Sequence, residues 1–209
     1  MTMMTVTRAL NELKLLDKRI TDTVNGSKFV SCAKRSSKKV DQLCTKEEFE
    51  QNAKSNYQSI LDLIKRRNEI KSKIVNSNAK TIIEVAGVEM TVAEAIERKT
   101  AIIYEKMLLN HMKVYFNKSV ANMNKNNEKV EEQLNVLLVT LVGKDGKNSS
   151  AEGVKEISDK YKADNEWELV NPLKLEEKIK TLEESIDGFE SEVDFVLSES
   201  NSITKIEVD

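Results

Sequence analysis

The chain has 209 residues, with 33 Lys and Arg against 35 Asp and Glu, for a formal net charge of -2. It is 39% hydrophobic and 33% charged, and holds only 6 Gly, 1 Pro, 2 Cys and 1 His. Collagen-like, low-complexity and disulfide-rich classes need far more Gly, Pro or Cys, and an all-β sandwich needs more turn residues than these. High charge with few helix breakers predicts a mainly α fold. The expected architecture is long antiparallel helices with coiled-coil packing plus a small β-hairpin or sheet, in a single helical domain over 1–209.

Residues 1–24 read as an N-terminal helix, because Val6, Ala9, Leu13, Leu16 and Ile20 fall on one face. Asn25-Gly26 is expected to end it through a left-handed glycine cap. Residues 25–44 form a basic loop with Lys28, Lys34, Arg35, Lys38 and Lys39, and Phe29-Val30 reads as a short strand inside it. Thr45 and Glu48 make a capping box that opens a helix over 45–78. Its predicted buried face is Phe49, Ala53, Ile60, Leu63, Ile70 and Ile74. Arg67 falls in that seam and needs a carboxylate partner or a route to water; Glu94 or Glu97 is the expected partner.

The β-branched run over 79–92 predicts a hairpin around Ala86-Gly87. Thr91 and Glu94 repeat the capping-box spacing at the start of a long helix over 92–142. Its expected apolar face is Val92, Ile96, Ile103, Met107, Val114 and Val120, then Val130, Leu134, Leu137 and Leu141, with the polar tract 122–128 as a place to kink. Residues 143–172 read as a variable insert: a loop at Gly143–Lys147, a short helix from Ser149 to about Tyr161, and an extended approach to Pro172. Residues 173–201 carry the cleanest pattern. Leu175, Ile179, Leu182, Ile186, Phe189, Val193 and Val196 alternate steps of four and three, a coiled-coil seam. Residues 202–209 read as a C-terminal strand.

An internal echo links two of these segments. SNAKTIIEV at 77–85 and SNSITKIEV at 200–208 share six of nine residues, and each follows a long helix. Ser-Asn suits a helix exit and the Thr/Ile/Val run suits β pairing. The expectation is that both strands join one small sheet with the hairpin.

Three stretches resemble the septicolysin-like family of small bacterial helical proteins: ALNELKLLDKRI at 9–20, the block from Leu63 to Leu109, and the tail from Leu175 through LSESNSIT. The likeness covers about half the chain and is weakest at 25–44 and 122–165. It implies a mostly helical, self-associating protein with a small β element, and no activity.

Few residues suggest chemistry. His111 is the single His, and Cys32 and Cys44 lack the spacing of a zinc or redox motif. Two such Cys suit free thiols in a reducing compartment. GKDGKNSS lacks the spacing of a phosphate-binding loop. The best candidate is the run Lys34, Arg35, Ser36, Ser37, Lys38 and Lys39, where cations and hydroxyls interleave as a small anion would require; Arg67 is a further candidate. No cofactor and no metal is expected. Residues 173–209 hold 4 Lys against 11 Asp and Glu, a local balance of -7, so a uniform basic surface for duplex nucleic acid is not expected. No segment is apolar for long enough to span a membrane, and a cytoplasmic location, in a host cell if phage-encoded, is expected. The functional expectation is a non-enzymatic, self-assembling interaction or structural protein whose partner is itself. The alternatives are an oligomeric phage-encoded module that sequesters a small anion such as a signalling nucleotide, and a phage virion component.

Overall fold

The computed structural model describes residues 2–42, 44–144 and 151–208. The described elements are β1 (Thr2–Thr5), α1 (Val6–Gly26), α2 (Lys46–Asn78), β2 (Ile82–Val85), β3 (Val88–Thr91), α3 (Val92–Lys144), α4 (Ala151–Asn165), α5 (Leu175–Ile203) and β4 (Lys205–Val208). The protein is mainly α with a small antiparallel β component, as composition and periodicity predict.

The helix starts follow the local chemistry. Thr5 caps α1 by accepting a hydrogen bond from the Arg8 amide at 3.3 Å. Thr45 caps α2 with both halves of the box formed: its hydroxyl accepts from the Glu48 amide, and its own amide donates to the Glu48 carboxylate. Thr91 and Glu94 do the same for α3, at 3.1 and 2.7 Å. The end of α1 differs from expectation. Gly26 stays in the helix, and the chain leaves through Ser27 in an extended conformation. Phe29-Val30 forms no strand; the Phe29 ring instead meets Tyr57 of α2 edge-on, with centroids 6.4 Å apart. α3 runs unbroken through 122–128, because that tract is polar but contains neither Gly nor Pro. Helix continues through Lys144, where a loop was expected to begin at Gly143. The rest of that loop, from Asp145, and the start of the following helix at Ser149 lie outside the described residues.

The strands form two separate two-stranded sheets rather than one. β2 pairs with β3 in the expected hairpin, and β4 pairs with β1. The residues TMMT of β1 are too short a run to announce a strand on their own, so the partner of β4 was hidden.

This topology exposes a duplication. β1 and α1 read TMMTVTRA; β3 and α3 open with VEMTVAEA, so Met4, Thr5, Val6 and Ala9 match Met90, Thr91, Val92 and Ala95. The echo at 77–85 and 200–208 supplies the other end. The chain is thus two strand–helix–helix–strand halves, 2–85 and 88–208, the second carrying the longer insertion between its helices. Matching contacts recur. The Val6 amide donates to the Thr204 carbonyl at 2.9 Å, and the Val92 amide to the Thr81 carbonyl at 2.9 Å. Register repeats as well: Met4 faces Ile206, and Met90 faces Ile83.

The residues divide into two compact units: Met1–Thr100 with Gly188–Asp209, and Ala101–Asp187. In the first unit Met4, Val6, Ala9, Leu13, Leu16, Ile70, Ile74, Ile206 and Val208 form one buried cluster. α1 and α2 are antiparallel there, tied by Glu12–Arg66 at 3.2 Å and Asp17–Arg67 at 2.7 Å. The β2–β3 hairpin lies on α5. The Ala86 amide donates to the Glu192 carboxylate at 2.8 Å, and a Cβ on Gly188 would come within 3.2 Å of Ala86 Cβ. Phe189 is 1% exposed and carries the Arg98 guanidinium 4.4 Å above its ring. In the second unit Ile102, Val130, Leu134 and Ile186 are buried. α4 lies along α3 through the Glu131–Lys162 ion pair and a Tyr161–Gln133 hydrogen bond.

Candidate functional site

The basic loop is held by its own backbone. The Lys46 amide donates to the Lys38 carbonyl and the Val40 amide to the Cys44 carbonyl, both at 3.0 Å. Lys46 Nζ spans to the carbonyls of Lys34 and Arg35, at 3.1 and 3.4 Å. Ser37 donates its hydroxyl to the Lys39 carbonyl at 2.8 Å and accepts from the Lys39 amide at 3.0 Å. Lys39 Nζ reaches the Gln42 carbonyl at 3.4 Å. Ser37 and Lys39 thus serve the fold. Lys34, Arg35, Ser36 and Lys38 are exposed, and among the described residues the side chains of Lys34, Arg35 and Lys38 make no ion pair.

A helix N-terminus attracts anions through its free amides, and α2 begins beside this loop. Glu48 already occupies that position. Hydrogen bonds from Thr45, with the nearby Lys39 charge, hold its carboxyl below the usual carboxylate range. The protein supplies its own anion where a phosphate would sit. The Cys44 thiol is pushed up by desolvation and by Asp41 and Glu48, opposite to the shift a nucleophile needs.

Arg67 is not part of the loop site. It lies 22 residues along α2 from Thr45, about 33 Å at the helical rise, and its guanidinium meets Asp17 of α1 at 2.7 Å. This corrects the expected pairing with Glu94 or Glu97: α1, the antiparallel neighbour, is the helix that faces Arg67. Glu94 turns back instead onto its own cap at Thr91, whose hydrogen bonds hold its carboxyl below the usual range.

The feature that sequence reading missed is on α3. The buried side chains there include Val92, Ala95 and Ile102, while Ile96, Ile103, Met107 and Val114 are 46%, 55%, 64% and 53% exposed. The expected apolar face is therefore largely open over the first half of this helix, and the buried row lies beside it. Within the second unit, Ile103, Met107 and Val114 step by four and seven. Tyr104, Leu108 and Tyr115 form a parallel row, 71%, 56% and 56% exposed. Beside Leu108 lies an apolar groove of about 540 Å³, lined chiefly by Leu108, Met112, Leu173, Leu175 and Leu182, with Lys178 and Thr181 among the polar lining residues. His111 stacks on Tyr115 with centroids 4.3 Å apart, which places it in this surface.

No family model matches the chain, and no curated protein and no solved structure matches it. Among the described residues no group of three or more His, Cys, Asp or Glu is placed to hold a metal, and no helix is long and apolar enough to cross a membrane.

Proposed function

We propose that the chain is a non-enzymatic helical interaction protein that assembles with further copies of itself. In this reading the first unit is a duplicated platform and the second unit carries the contact surface. The observation that carries it is the pair of apolar rows at Ile103, Met107, Val114 and at Tyr104, Leu108, Tyr115, standing open beside an apolar groove. Such rows are the knobs of helix packing and the groove is a matching hole. Contiguous exposed apolar patches mark interaction sites.

Sedimentation equilibrium tests the proposal. Association that strengthens from about 1 to 100 μM is expected by mass action. Ile103→Asp/Met107→Asp/Val114→Asp, purified without a refolding step, is expected to stay monomeric with unchanged helicity. A wild-type monomer across that range defeats the proposal. A second reading, capture of a small anion, rests on the unpaired cations Lys34, Arg35 and Lys38. It requires a thermal shift with a nucleotide that is lost in Lys34→Ala/Arg35→Ala/Lys38→Ala.

A further inference from the structure

The duplication has a consequence for how copies meet. Each sheet takes one strand from each half: β1 of the first with β4 of the second, β2 of the first with β3 of the second. Neither half owns a complete sheet. Taken alone, each would leave two unpaired strand edges, which are templates for another chain. Because the halves are versions of one unit, each is the natural complement of the other.

A single two-residue turn joins them. Ala86 has φ 51° and Gly87 φ 76°, the pair of positive values a tight hairpin turn demands. Glycine accepts this; alanine is disfavoured there by its Cβ, and Asn is the usual first residue. The turn is short and strained, the condition under which elements exchange between protomers. Its register is symmetric about the turn, with Ile82 facing Thr91 and Val85 facing Val88. A straightened strand over 82–91 can therefore form the same four pairs with the same strand of a second chain. The hydrogen bond from the Ala86 amide to Glu192 is the latch on the closed form.

We propose that two copies of this chain trade halves about Ala86–Gly87, so that residues 2–85 of one are completed by residues 88–208 of the other. The exchanged pair keeps the Met4–Ile206 and Ile83–Met90 registers and needs no new surface. It does not depend on the open rows of α3, so the two modes of association fail independently.

The test uses the full chain in the Ile103→Asp/Met107→Asp/Val114→Asp background with Cys32→Ser and Cys44→Ser, which removes the α3 surface and the native thiols. Ile83→Cys/Met90→Cys then reports pairing on a non-reducing gel: a closed chain links within itself and an exchanged pair links between chains. Refolding at high protein concentration is expected to give linked dimers. Deleting Ala86 and Gly87 is expected to give nearly all dimer, Glu192→Ala to raise the dimer fraction, and Ala86→Asn to lower it several-fold. A folded, monomeric turn-deleted chain overturns the proposal. If that variant does not fold, equal dimer fractions for Ala86→Asn and the parent overturn it.

Discussion

Equivalent positions in the two halves hold different chemistry, and that difference sets a measurable asymmetry. Counting from the matched ends, Arg66 and Glu12 of the first half correspond to Phe189 and Arg98 of the second. The first pair is an ion pair at 3.2 Å with both side chains about 30% exposed, and such pairs contribute at most about 1 kcal/mol. The second is a buried ring, 1% exposed, under a guanidinium at 4.4 Å. Phe189→Ala removes a large buried side chain and leaves a cavity, costing about 3–5 kcal/mol, with about 1 kcal/mol more from the lost cation–π contact. Arg66→Ala is expected to cost about 1 kcal/mol or less. Urea unfolding followed by far-ultraviolet circular dichroism gives both numbers. With a slope near 2 kcal/mol/M, Phe189→Ala is expected to lower the midpoint by about 2–3 M and Arg66→Ala by about 0.5 M or less. Midpoint shifts of equal size at the two sites would refute the reasoning, because they would mean that Phe189 is not the buried anchor of its half.

Removing the α2 cap with Thr45→Ala is expected to cost about 1 kcal/mol in the same assay. Glu48 and Glu94 have folded pKa values below their unfolded ones, so their contribution is present above the unfolded value of 4.5 and is lost as pH falls through the folded values. Accordingly, Glu48→Gln/Glu94→Gln is expected to flatten the acid limb of a stability–pH curve, and an unchanged limb would contradict it. Asn127 both donates to the Trp167 carbonyl at 3.0 Å and accepts from its amide at 2.7 Å. Asn127→Ala is expected to lower the fluorescence anisotropy of Trp167, the single Trp, while leaving helicity intact. Leu134 is 2% exposed, and Leu134→Ala is expected to cost about 2–5 kcal/mol; a loss below 1 kcal/mol would argue against its burial.

Periodicity made the helices readable, and capping boxes placed two of their starts within a residue. At Thr45 and Thr91 the signal is local chemistry, which needs no partner to be recognised. The heptad of α5 was readable for the same reason, and Ile186, Phe189 and Val193 are buried as it predicts. The first half of α3 was not. It carries two apolar rows, and periodicity cannot say which is covered; that choice depends on neighbours distant in sequence. Arg67 shows the same limit, since a seam position demands a carboxylate but does not name the helix that brings it. The strand at 2–5 was invisible because four residues carry too little pattern, and only its partner at 205–208 makes it a strand. The echo between 77–85 and 200–208 was legible as likeness. That it marks half of a duplication rests on the equivalent pairings of TMMTV and VEMTV, which belong to the fold and not to the sequence.

The pairing of β1 with β4 bears on how the polypeptide is made. Residues 2–5 leave the ribosome about 200 residues ahead of the strand they match at 205–208. At about 5–20 residues per second the wait is roughly 10–40 s, while the β2–β3 hairpin closes on itself within microseconds of emerging. For that interval the cluster of Met4 and Val6 with Ile70 and Ile74 lacks its Ile206 and Val208 side, which stands open to chaperones or to a neighbouring nascent chain.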